Sequence, residues 1–221
     1  MIRLAIFDVD GTIVDSAGHI VEAAHQVFEA NGLPKPDEQA VRSGIGLNLE
    51  IIMLQLLGND DQDLAFDLAQ QYRDNINHKI ENGLLRETIY HGAAETIDAL
   101  GNQDETFLGI ATGKRLKGVE RLFREQGFGH HFHTLQTPDN NPSKPHPGMV
   151  HTAMKDTGVD AQRTVMIGDT SYDMEMAKSA GARALGVNWG YHDADRLRAA
   201  GADLVIENYG QMLEAIDELT G

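Results

Sequence analysis

Asp8 and Asp10 stand two residues apart at the point where the apolar run Leu4-Ala5-Ile6-Phe7 ends. A carboxylate that closes a buried strand needs compensation, because an unpaired charge is expensive to take out of water. Other polar clusters follow other apolar runs. Thr112-Gly113-Lys114 comes directly after Ala111, Lys144 lies in the proline-rich stretch PDNNPSKPHP, and Gly168-Asp169-Thr170 is followed by Asp173. Carboxylates, a hydroxyl and an ammonium of this kind suit a divalent cation held together with a phosphate.

Mg2+ takes hard oxygen ligands, commonly one or two carboxylates with waters and a phosphate oxygen. Asp8 and Asp169 can supply carboxylates, and the backbone carbonyl of Asp10 can add an oxygen. Such a cation relieves repulsion among the acids and keeps Asp8 ionised, hence nucleophilic. An ionised aspartate can attack phosphorus to give an aspartyl-phosphate, dividing one hard displacement into two easier ones. Asp10, with its side chain free of the metal, can protonate the departing alcohol and later take a proton from water. Thr112 can donate to a phosphoryl oxygen, the backbone beside Gly113 can approach closely, and Lys144 can offset the developing negative charge.

These groups are far apart in sequence, so the fold must gather them. Buried strands are predicted at 3–9, 106–111, 133–135, 164–167, 183–187 and 203–206 from their short apolar runs. Amphipathic helical patterns lie among them at 91–100, 116–125, 147–157, 172–179, 194–199 and 209–219. Strand alternating with helix implies a doubly wound α/β fold on a parallel sheet, with ligands at the carboxyl ends of the strands. Residues 17–86 break the rhythm, with helical patterns at 20–30, 48–57 and 64–81 and no convincing strand. The expected division is therefore an α/β core of 1–16 and 87–221 with a helical module, 17–86, inserted after the first strand. Residues 138–147 read as a loop because their prolines preclude helix and central strand.

Taken in order, FDVDGT at 7–12, the threonine of ATGK at 112, the lysine of SKPHP at 144 and GDTSYDM at 168–174 resemble the four motifs of the haloacid dehalogenase (HAD) superfamily of aspartyl-phosphate hydrolases. The tail GVNWGYHDADRLRAAGADLVI is similar to the phosphoglycolate-phosphatase branch. The resemblance implies a nucleophile at Asp8, an acid/base at Asp10, phosphate binding at Thr112, Gly113 and Lys144, and a Mg2+ site at Asp8, Asp10, Asp169 and Asp173. It further implies that the inserted module is a cap closing over the site. Val41 to Glu50 (VRSGIGLNLE) resembles that family's cap loop, which makes Arg42 a candidate for a substrate carboxylate; Lys114 is a second candidate substrate contact. The activity implied is Mg2+-dependent hydrolysis of a small, phosphoglycolate-like phosphate monoester.

Neighbouring activities separate on single residues. Haloacid dehalogenases lack the equivalent of Asp10. Phosphonatases use a cap lysine, and the module offers only Lys35 and Lys79, neither in the 41–50 loop. A β-phosphoglucomutase-like phosphotransferase is disfavoured by Ile20 where that family carries a histidine, and pyrophosphatase activity stays open. A phospho-signalling or binding module, as in response-regulator receivers, would put its acid pair first and its phosphoacceptor on a middle strand, unlike this order. The net charge of -16 repels nucleic acid and anionic membranes. Absence of cysteine excludes a thiol nucleophile and Cys-based zinc sites. With no apolar run of membrane-spanning length and no secretory segment at the N-terminus, a cytoplasmic protein is expected. His130, His131 and His133 read as surface imidazoles, since their spacing fits no zinc pattern. His19, on the first helix of the module, reads first as a structural residue, with a substrate contact as the alternative.

Overall fold

The computed structural model describes residues 2–221. In chain order its elements are β1 (Arg3–Phe7), β2 (Val14–Asp15), α1 (Ala17–Ala30), α2 (Glu38–Gly44), α3 (Leu49–Leu57), α4 (Gln62–Glu81), β3 (Thr88–Ile89), α5 (Ala93–Gly101), β4 (Thr106–Ala111), α6 (Leu116–Gln126), β5 (Phe132–Gln136), α7 (Gly148–Thr157), β6 (Thr164–Gly168), α8 (Ser171–Ser179), β7 (Arg183–Val187), α9 (Ala194–Ala199), β8 (Leu204–Ile206) and α10 (Met212–Thr220). Six of the strands form one parallel sheet in the order β5-β4-β1-β6-β7-β8.

The near-continuous apolar strands are explained by burial on both faces. Along β1, Ala5 and Phe7 pack with Ile97, Leu100, Val119, Leu122, Met212 and Ile216 of α5, α6 and α10. Leu4 and Ile6 point the other way, toward Met149, Val150, Met174 and Leu197 of α7, α8 and α9. From β1 the chain winds outward through β4 to β5, then returns to lay β6, β7 and β8 on the opposite side. That reversal leaves a crevice outside the carboxyl ends of β1 and β6. Asp8 follows β1 directly and Asp169 follows β6.

The first strand is shorter than its apolar pattern, ending at Phe7 rather than Val9. The Asp8 amide still reaches across to Ile167 O at 2.9 Å, but the chain then curls: the Val9 carbonyl accepts from the amides of Ile13 and Val14 at 2.8 and 2.9 Å. At the C-terminus, the predicted helix at 209–219 opens with a 3-10 turn, Tyr209–Gln211, before α10.

Helices α1 to α4 lie between β2 and β3, which pair antiparallel through Val14–Ile89 and Asp15–Thr88. Helices α1, α3 and α4 share a small core of Val27, Phe28, Met53, Leu68 and Ala69, and Val41 of α2 packs with Val21 and Ala24 of α1. Two of these features escape the sequence reading. The two-residue strands are too short to show alternation. Helix α2 occupies the first part of the segment read as a loop; Asp37 starts it by accepting from the Ala40 amide at 3.0 Å, and only 45–48 remain as loop. Among the described residues, no helix is long and apolar enough to cross a membrane.

Candidate active site

The loop after β1 is tight enough that Gly11 adopts φ +84°, and a Cβ there would fall 2.2 Å from Asp169 Oδ2. Glycine is what lets this loop seat against the end of β6. Asp169 is fixed from two sides: Oδ1 accepts from the Thr12 hydroxyl and Oδ2 from the Tyr191 amide, both at 2.9 Å. Asp173 sits in the first turn of α8, where its Oδ2 accepts from the Thr170 amide at 3.0 Å and hydroxyl at 2.6 Å in a capping box. Its Oδ1 accepts from Lys144 Nζ at 2.5 Å. Helix capping thus aims a carboxylate that the sequence marks only as an acid.

Asp8, Asp169 and Asp173 are all buried, and one oxygen from each lies within 4.8 Å of the others. Burial pushes the Asp8 carboxyl up to about 6, with Lys144 opposing and Asp173 adding to the rise. Asp169 is raised well above the usual carboxylate range by burial, then by Asp8 and Asp173. Burial alone would lower Lys144, but Asp173 and Asp8 hold it up at about 12, so it stays a cation. One ammonium cannot balance three buried acids. Asp8 Oδ2, moreover, lies 2.9 Å from Lys144 Nζ but off the direction of a hydrogen bond, leaving that buried oxygen without a donor. Three hard oxygen donors, surplus negative charge and an orphaned acceptor fit a small divalent cation.

Asp10 is held apart from this triad. Its carboxylate accepts from the Ser16 hydroxyl at 2.8 Å and from Lys114 Nζ at 2.9 and 3.1 Å. Lys114 Nζ is also 2.7 Å from Glu87 Oε1, and the other oxygen of Glu87 accepts from Arg121 at 3.1 Å. Burial would raise Glu87, yet Lys114 and Arg121 prevail and hold it below its usual value. Lys114, expected at the substrate, therefore divides its charge between two acids of the protein. Ser16 Oγ in turn lies 2.9 Å from the Tyr191 hydroxyl.

A cavity of about 240 Å³ opens above Asp8, Asp10, Thr112 and Gly113 and is roofed by the 45–49 segment and by α4. The roof touches the core directly. The Asn48 amide donates to Ser143 Oγ at 2.9 Å, and the Tyr172 hydroxyl donates to Ser43 O at 3.2 Å. His192 Nδ1 accepts from the Ser171 amide at 2.8 Å, which places its proton on Nε2, 3.3 Å from Ser43 O. Burial, with Arg196, keeps this histidine below its usual value. A Cβ on Gly113 would come within 2.9 Å of the carbonyls of Gly46 and Leu47. The missing side chain at Gly113 thus lets the roof reach the core, a use separate from the expected approach to phosphate.

Asp8, Thr112, Lys144, Asp169 and Asp173 converge at the sheet edge as their spacing implied. Arg42 does not join them: it is exposed on α2, outside the cavity lining, which instead includes Arg73 from α4. His19 does line the cavity. His131 is buried rather than superficial and pairs with Asp98 at 2.9 Å, while His130 bonds the Gly127 carbonyl at 3.0 Å. Sequence reasoning missed Ser16, Glu87, Arg73, Tyr191 and His192. Tyr191-His192, inside the branch-like tail, stood in a stretch already singled out, and Ser16 lies four residues past FDVDGT; the other two carried no local signal.

A buried acid cluster at the reversal point of a doubly wound sheet, beneath a helical roof, suits a divalent cation held with a phosphate. Comparison with known proteins places it more closely. A family model described as haloacid dehalogenase-like hydrolase matches residues 5–187, and the chain belongs to that family, in its phosphoglycolate-phosphatase-like branch. It is 34% identical to the probable phosphatase IndB of Dickeya dadantii, over 98% of this chain and 94% of that protein. It is 28% identical to a phosphoglycolate phosphatase of Vibrio parahaemolyticus, over 97% and 96% of the two chains. The crystal structure of a predicted phosphatase from Clostridium acetobutylicum superposes with a TM-score of 0.87 at 21% identity, over 99% and 100%, and shares the fold. Family and relatives together make the protein a phosphoric monoester hydrolase.

Proposed function

We propose that the protein hydrolyses a small organic phosphate monoester with Mg2+, through an aspartyl-phosphate on Asp8, beneath a cap formed by residues 17–86 on a core of 1–16 and 87–221. The observation that carries this reading is Asp8 itself: buried at the cavity floor, with an oxygen lacking a hydrogen-bond donor and two further acids beside it. Asp8, Asp169 and Asp173 would hold the ion, with the Asp10 backbone carbonyl as the expected further donor. When bound, Mg2+ supplies positive charge that favours the ionised acids and the phosphoryl oxygens.

The chain's own groups account for the rest. An Asp8 oxygen attacks phosphorus as the ester P–O bond breaks, and the Asp10 carboxyl gives its proton to the departing alkoxide. Asp10, now a carboxylate, takes a proton from water, whose oxygen attacks phosphorus. The Asp8–phosphorus bond breaks, and inorganic phosphate leaves. Ser16 and Lys114 keep the Asp10 carboxylate aimed, Thr112 and the Gly113 amide bind phosphoryl oxygens, and Lys144 offsets charge on them. Asp10→Asn should cut kcat by roughly 100-fold or more, as loss of general acid/base catalysis does. A much smaller loss in a steady-state assay would make Asp10 a positional residue only.

The test of the whole reading is phosphate release across a panel of monoesters and pyrophosphate, with Mg2+ and then with chelator. Release that stops with chelator and returns with Mg2+ is expected. Persistence in chelator would remove the metal from the mechanism. A preference for pyrophosphate, or isomerisation of a sugar phosphate without release, would move the activity to pyrophosphatase or phosphotransferase. Binding without turnover would make the protein a phosphate-binding module.

A further inference from the structure

Resting on the phosphatase reading, we infer that the substrate's alcohol part is an uncharged, ring-sized group, and that the cavity selects against esters carrying a second anion such as a carboxylate. Three observations carry this. First, the cavity walls away from the acids are apolar: Ile20, Ile45, Leu49, Ile52, Tyr72 and Ile76 face it. Second, its size of about 240 Å³, which includes the space over Asp8, Thr112 and Gly113 that the phosphoryl group takes, leaves room for about one ring. An apolar cavity of roughly 150 Å³ already holds benzene, whereas drug-sized ligands occupy roughly 300 Å³ or more. A two-carbon acid would leave most of this wall unfilled.

Third, the half-buried cations around the cavity are already neutralised by the protein. Arg73 Nη2 donates to Glu50 at 2.5 Å, Arg121 pairs with Glu87, and Lys114 is divided between Asp10 and Glu87. Arg115 and Lys117 also line the cavity, but at its solvent-exposed side, and Arg115 lies 3.8 Å from both Glu50 and Asp139. A substrate carboxylate would therefore enter an apolar pocket beside Asp8, Asp10 and Glu87 without a spare buried cation to meet it, which is unfavourable. What the Arg73–Glu50 pair does offer is neutral as a unit. Arg73 Nη1 is a buried donor and Glu50 Oε2 a buried acceptor, and neither has a hydrogen-bond partner. Of the two, Arg73 lines the cavity, and a donor whose charge is already met by Glu50 suits a neutral hydroxyl oxygen better than an anion. His19 and Asn77, also on the wall, add hydrogen-bonding groups of the same kind.

The experiment compares kcat/KM, with Mg2+, for two neutral-alcohol esters (phenyl phosphate and a hexose 6-phosphate) and two carboxylate esters (2-phosphoglycolate and 3-phosphoglycerate). Acetyl phosphate serves as a probe of transfer to Asp8 alone. The better neutral ester should exceed both carboxylate esters by about 100-fold or more, the scale set by leaving a buried polar group unmatched. Glu50→Gln, which frees Arg73, should narrow that gap by about 10-fold by raising the carboxylate rates. Ile76→Lys, which adds an unpaired ammonium to the wall, should act in the same direction if Glu50→Gln does not fold. Carboxylate esters turned over as well as neutral ones overturn the inference and leave the phosphatase reading intact. So does hydrolysis of acetyl phosphate with none of the four esters. Inertness toward acetyl phosphate and every ester overturns both.

Discussion

Asp8→Asn is expected to lose at least about 10⁴-fold in kcat, the scale on which removal of a covalent nucleophile acts, while the protein stays folded. The amide keeps the shape of the carboxylate but cannot form the acyl-phosphate. Stability should not suffer, because the charge removed is one that burial already disfavours, as the upward push on Asp8 to about 6 shows. Lys144 keeps its second partner, Asp173. Steady-state phosphate release together with a thermal melt separates the two effects, and intact-protein mass measurement after acid quench should show a phosphoryl adduct only on the unsubstituted protein. A variant that turns over near the normal rate would rule out covalent transfer to Asp8.

Lys144→Met has the second largest expected effect, and it acts on stability as well as rate. Lys144 is fully buried and is the only cation in direct contact with Asp8 and Asp173 among the described residues. Removing one partner of a buried ion pair typically costs about 3–5 kcal/mol. For a chain of this size that corresponds to a fall in Tm of about 10 °C. The rate should drop by about 100- to 1,000-fold, as when one preorganised donor to a developing oxyanion is lost. The pH dependence has a definite sign. Asp8 is raised from an ordinary 3.8 to about 6, so the folded state holds its proton more tightly than the unfolded chain does. Its contribution is favourable at low pH and is lost as pH rises through about 6. Without its ammonium the rise should be larger, so metal-free Lys144→Met should lag the parent more at about pH 7 than at about pH 5. Equal deficits at both pH values would show that the lost contacts were packing rather than charge.

Much of the core was legible because a parallel strand buried on both faces reads as an uninterrupted apolar run that stops where the sheet stops. Asp8 after Phe7 and Asp169 after Gly168 announced themselves in that way. The partners of Asp10 were not legible: Lys114 is 104 positions away, and its pairing with Asp10 and Glu87 depends on how three separate elements pack. Arg42 and Arg73 both sit on helices of the insertion, and nothing local decides which one faces the cavity. The seven-residue α2 and the two-residue β2 and β3 are shorter than any periodicity can reveal. Asp15 lies in that β2–β3 pairing, opposite Thr88.

That pairing also bears on descent. Adjacent strands lie roughly 4.8 Å apart, so the chain departs from the core and re-enters it at almost the same point. To the sheet, everything between Asp15 and Thr88 is a graft on a single stem. Lengthening a tethered insert is inexpensive, about 0.6 kcal/mol for each doubling of a flexible loop. Mutation, duplication or replacement confined to the graft would therefore change what covers the cavity without moving the stem or the carboxylates that follow β1 and β6.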